Sequence, residues 1–90
     1  MSPPAYRVLV TATAERALGR LPEGVVAAVV EFMVGALTES PRRVGHPLRQ
    51  ELTGLWAARR GPYRVIYEID DEQPVKVLRI DHRADVYRPR

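Results

Sequence analysis

Ninety residues, 46% of them hydrophobic, with no cysteine and a formal net charge of +3, describe a single domain (1–90) able to bury a core of its own. This composition excludes a disordered chain, a disulfide framework and a cysteine-ligated metal cluster. The opening residues lack the apolar stretch of a signal peptide. The most apolar run, Val25 to Leu37, is broken by Glu31 and is too short to span a bilayer, so a cytoplasmic protein with no membrane partner is expected.

In chain order, Tyr6, Val8 and Val10 alternate with Arg7, Leu9 and Thr11, the pattern of a short half-buried strand. Thr13 can cap a first helix whose inward positions are Ala14, Ala17, Leu18 and Leu21. Pro22 ends that helix and suits the first turn of a second, running from Glu23 to Thr38. Val26, Val29, Val30, Met33 and Leu37 form its apolar side, with Glu23, Ala27, Glu31 and Gly35 opposite. So broad an apolar surface needs a sheet to pack on. The Pro- and Gly-containing stretch from Ser40 to Pro47 reads as a loop, and Leu48 to Thr53 as ambiguous, with a turn of helix as one reading. Strands follow at Leu55–Arg59, Tyr63–Ile69 and Val75–Asp81, joined by turns at Gly61-Pro62 and Asp70–Pro74. The expected fold is α+β: a small antiparallel sheet of about four strands in the order β-α-α-β-β-β, with an N-terminal helical hairpin on one face.

Charge is unevenly placed. Residues 1–41 hold three arginines against four glutamates, a net of −1, while residues 42–90 hold ten arginines and one lysine against seven acids, a net of +4. In that basic half, Gly54 to Tyr67 sets arginines among aromatic and β-branched residues, and His82-Arg83-Ala84-Asp85-Val86-Tyr87 echoes it. Arginine offers a planar fork of donors that stays charged and matches phosphate oxygens in pairs. Tyrosine adds a flat surface for a base. Arg64, Ile66 and Glu68 point away from Tyr63, Val65, Tyr67 and Ile69. If the helices cover Val65, Arg64 lies on an open basic face suited to a phosphodiester.

These residues resemble a known family. Leu48-Arg49-x-Glu51-Leu52-x-Gly54-Leu55-Trp56-x-x-Arg59-x-Gly61-x-Tyr63-Arg64-Val65-Ile66-Tyr67, followed by His82-Arg83-x-x-Val86-Tyr87, resembles the RelE/ParE superfamily of type II toxins, and most of all its RelE-like branch. The resemblance implies a ribosome-dependent, metal-independent endoribonuclease (an mRNA interferase), needing no cofactor, that cleaves messenger RNA in the A site. It also implies a cognate acidic, RelB-like antitoxin as partner in a hetero-oligomer. Family roles in gripping the scissile phosphate fall on Arg64 and Arg83, and nucleotide stacking on Tyr87. Some members carry a lysine where this chain has Ala57, and one branch has a carboxylate base where it has His46. Two other functions remain open: a ParE-like gyrase poison without catalysis, and an attenuated toxin acting as co-repressor.

Metal-free RNA cleavage needs a proton acceptor for the 2′-hydroxyl, a proton donor for the departing 5′-oxygen and positive charge at the phosphorane. Arg64 and Arg83 suit the last task. His82 and His46 have side chains whose ordinary pKa, about 6.5, lies near neutrality. Arg42, Arg43, Arg59 and Arg60 are candidates for binding RNA phosphates or are solvated charge. Plainer readings stand beside these: an Arg64–Glu68 ion pair, Arg83 anchored on Asp81 or Asp85, Tyr87 covering a sheet edge, His82 in a structural hydrogen bond, an exposed His46, and Trp56 as core.

Overall fold

The structure, a computed structural model, describes residues 6–70 and 74–82. Among them, β1 (Arg7–Val10) leads into α1 (Ala12–Gly19), α2 (Glu23–Val34) and the short α3 (Ala36–Glu39). The two-residue β2 (His46–Pro47), a turn of 3-10 helix at Gln50–Leu52, β3 (Trp56–Arg60), β4 (Tyr63–Ile69) and β5 (Pro74–His82) follow. The α+β class and the meander at the end are as expected. The sheet has five strands in the order β1-β5-β4-β3-β2, not four. The extra strand arises because His46 and Pro47, expected in a loop, pair with Ala57 and Trp56. β1 runs parallel to β5. That departs from the antiparallel expectation because the helices carry the chain from the end of β1 back across the sheet, the usual way a parallel neighbour is reached.

The helical layer also differs in detail. Thr11, not Thr13, caps α1: its hydroxyl accepts from the Ala14 amide at 3.2 Å and donates to the Leu78 carbonyl at 2.9 Å. Thr11→Ala loses both bonds and should cost about 1–2 kcal/mol, measured as a lower denaturant midpoint at unchanged slope. The second helix breaks at Gly35, so Leu37 belongs to α3. Its inward stripe is Val25, Val29, Phe32 and Met33 (i, i+4, i+7, i+8), and Val30, expected inside, is 38% exposed.

Val29, Phe32, Met33 and Leu37 close on Ala58, Val65, Tyr67, Val75, Val77 and Ile80, with Trp56 packed against the cluster. The Val65 side of β4 therefore meets the helices, and the Arg64 side is the other face. β5 reaches the same core with an irregular step. Ile66 pairs with Arg79 but Tyr67 pairs with Val77, so Leu78 has no partner on β4 and forms a bulge. The bulge lets Val77 and Ile80, three residues apart, both face the core. Thr11 steadies it through the Leu78 carbonyl and, with its own amide, the Val77 carbonyl at 3.0 Å.

Candidate nucleic-acid interface

On the face away from the helices, register decides which side chains meet. Gly61, at φ +58°, and Pro62 close the β3–β4 hairpin in two residues, and this pairs Arg59 with Arg64. The next strand places Asp81 beside Arg64. One row across three strands therefore reads Arg59, Arg64, Asp81. The neighbouring row reads His46, Ala57, Ile66, Arg79. Paired side chains on one sheet face have Cβ atoms about 4.5–5.5 Å apart. Two like charges directly opposite each other repel, so the Arg59–Arg64 pair concentrates positive charge at this point of the face. Arg79 adds a third guanidinium, bound to the Asp81 carboxylate at 2.6 Å. Further along, Glu68 engages its partner Lys76 at 3.5 Å.

The sequence-derived candidates divide between the two faces. Arg59 and Arg64 are together. His46 shares their face but sits on β2, two strand spacings or about 10 Å from β4, and buried Ala57 and Ile66 lie between it and Arg79. Arg60, expected with the phosphate binders, is on the helix side, its guanidinium 3.8 Å from the centre of the Phe32 ring. It alternates in phase with Trp56 and Ala58, which is why it turns inward. His82 is likewise on the helix side. It pairs in register with Tyr63, and the two rings meet edge to face at 5.2 Å. Both rings line a groove of about 670 Å³ bordered by Ala17, Arg20 and Leu21 on the helical side and, where β5 runs on beyond its pairing with β1, by Arg79 and Asp81 at the sheet edge. The bulge at Leu78 carries His82 to that side, so it does not join Arg64. Arg42 and Arg43 are exposed in the turn after α3, where Arg42 donates to the Tyr6 hydroxyl at 2.9 Å. Arg83 and Tyr87 lie outside the described residues.

The loop leading to β2 is held from beneath. The hydroxyl of buried Tyr67 donates to the Pro41 carbonyl at 2.6 Å. Gly45 passes so close that a β-carbon there would sit 2.7 Å from the Ala57 carbonyl oxygen and against the Tyr67 hydroxyl. Only glycine fits, and the fit sets where His46 enters the sheet. Burial pushes the Tyr67 phenol from its ordinary value of 10.0 up to about 12. A raised folded-state value means its contribution is whole below pH 10 and is lost as pH climbs towards 12. Alkaline unfolding of the wild type should therefore have a component in that window that is absent from Tyr67→Phe, followed by circular dichroism together with tyrosinate absorbance. Among the described residues, no three His, Cys, Asp or Glu side chains gather as a metal site, and no helix is long and apolar enough to cross a membrane.

Comparison with known proteins agrees with this architecture. Residues 8–87 match the family model described as ParE toxin of type II toxin–antitoxin system, parDE. Over 84 residues the chain is 57% identical to Toxin RelG of Mycobacterium tuberculosis, covering 92% of this chain and 97% of that protein. Toxin RelE of the same organism is 52% identical, with 92% and 87% covered. The crystal structure of the toxin–antitoxin complex RelBE2 from Mycobacterium tuberculosis superposes with a TM-score of 0.84 at 54% identity, over 87% of this chain and 98% of that one. A chain with helices on one face of a mixed five-stranded sheet and arginines on the other, matched along nearly its whole length by such relatives, belongs to the RelE/ParE family of type II toxin–antitoxin toxins.

Proposed function

We propose that this toxin is a ribosome-dependent endoribonuclease that cleaves messenger RNA in the A site. The observation that supports it is the set of guanidinium groups of Arg59, Arg64 and Arg79 on one face of the sheet, opposite the helices. In the reaction, the 2′-oxygen attacks the adjacent phosphorus, its proton leaves to a base, the P–O5′ bond breaks and the 5′-oxygen takes up a proton. The products are a 2′,3′-cyclic phosphate and a 5′-hydroxyl. Arg64 and Arg59 meet the charge that grows on the phosphorane, a task for donors that never deprotonate. Arg83 and Tyr87 join them by resemblance, as second phosphate grip and nucleotide stacker. His46 is the described imidazole on this face. Ribosomal positioning supplies much of the remaining acceleration, since orientation is worth about 7–11 kcal/mol.

The partner is an acidic antitoxin that covers the arginine face in a hetero-oligomer, in keeping with the solved RelBE2 toxin–antitoxin complex of a relative. Purified toxin added to ribosomes stalled on a defined message should cut it at the A-site codon, and leave the same RNA whole without ribosomes. An intact message on the ribosome would refute this reading. The ParE description of the matched family favours a second one, a gyrase poison. Double-strand DNA breaks after induction, with messages intact, would establish it instead.

A further inference from the structure

We infer that Asp81 is a positioning residue, holding Arg79 in place beside Arg64 as part of the phosphate-receiving face. This deepens the ribonuclease reading and rests on it. Neither Asp81 nor Arg79 stands out in the sequence, and the bulge at Leu78 is what brings both onto the outer face.

Three observations carry the inference. First, Asp81 is the direct cross-strand partner of Arg64, itself the partner of Arg59, so one carboxylate sits at the end of a row of two cations. Second, the Asp81 carboxylate holds an Arg79 amino nitrogen at 2.6 Å. Third, the two ends of this pair differ in exposure: the Asp81 side chain is 17% exposed and that of Arg79 is 52% exposed. The acid is the anchored end and the guanidinium the presented one. An arginine on an otherwise free stem loses rotamer entropy on gripping an anion. Fixing one edge of its fork beforehand leaves the other edge aimed and ready.

Charge and position make opposite predictions. Asp81 is an acid on a basic face, so removing its charge strengthens attraction for RNA. If its role is to aim Arg79, removing it weakens transition-state stabilisation. Asp81→Asn should therefore bind message as tightly as wild type or tighter, while its kcat falls about tenfold, less than the loss when a preorganised donor is deleted outright. Asp81→Glu should restore part of kcat. Arg79→Ala should cost a similar factor in the wild-type background and about twofold or less in Asp81→Asn, since the two act as a unit.

The experiment is that double-mutant cycle, read as kcat and KM on ribosome-bound message and as affinity for a short single-stranded RNA across a salt series. Coupled losses in kcat with KM unchanged or lowered support the inference. An Asp81→Asn protein that cleaves at the wild-type rate, or losses that multiply independently, overturn it. Wild-type protein that does not cleave overturns the ribonuclease reading instead. The inference is then judged on oligonucleotide binding alone: Arg79→Ala must weaken it in the wild-type background and not in Asp81→Asn, and equal weakening in both overturns it.

Discussion

Arg64→Ala should lower cleavage of ribosome-bound message by about a hundred- to a thousandfold, the range for losing one preorganised charged donor at a developing anion. The position on β4 explains so large an effect. Arg64 is in the middle of the outer row, with Arg59 on one side and Asp81 on the other, and its backbone is paired on both edges. So rigid a backbone fixes where the side chain starts and limits the reorganisation its guanidinium needs when the phosphorane forms. The loss should appear in kcat more than in KM, because binding of the message is shared among many phosphate contacts. Arg64→Lys keeps the charge but not the fork and should recover only part of the rate. Melting temperature and denaturant midpoint identify any contribution from misfolding, which should stay at about 1 kcal/mol or less for a half-buried residue outside the core. A folded Arg64→Ala protein that cuts at the wild-type rate would remove Arg64 from the chemistry.

Tyr67→Ala should cost about 3–5 kcal/mol of folding stability, the usual penalty for deleting a buried aromatic ring. Tyr67 is fully buried, faces the helical layer and ties β4 to the Pro41 carbonyl. Two terms add: the cavity left by the ring and the loss of the hydrogen bond. Tyr67→Phe separates them, since it keeps most of the packing and should cost about 1 kcal/mol plus whatever the unpaired Pro41 carbonyl adds. Chemical denaturation of the two variants measures the split. Equal costs would mean that the hydroxyl, not the ring, holds the turn. Because that turn leads into β2, Tyr67→Phe should also loosen His46, seen as faster exchange of the Leu48 amide, which bonds the Leu55 carbonyl just beyond β2.

Much of the fold was legible in the sequence because its strands and helices keep their periods. β4 has the expected bounds, Tyr63–Ile69, and the alternation along it separates Val65 and Tyr67 from Arg64 and Ile66. Thr11 was missed as a cap because Thr13 is an equally good capping residue by type, and tertiary contact with Leu78 selects between them. β2 was missed because two residues ending in proline carry no periodic signal. The candidate site was legible only where the period held. Arg59 and Arg64 follow from alternation and a two-residue turn. Along β5, strict alternation groups Val75, Val77, Arg79 and Asp81 on one face and Ile80 and His82 on the other. The bulge reverses every residue after Leu78, placing Ile80 and His82 with the core and Arg79 and Asp81 with Arg64. One clue was present: Val77 and Ile80 are apolar at an odd separation, which a flat strand cannot bury together.

The placement of β5 has a further consequence for a toxin made on the machine it is proposed to attack. Among the described strands β5 comes last in sequence yet lies between β1 and β4. Until residues 74–82 have been synthesised, the first strand has nothing to zip onto, and Arg64 lacks a neighbour along one flank. A chain cut short before those residues therefore has neither a closed sheet nor the Arg79 and Asp81 flank of the arginine face.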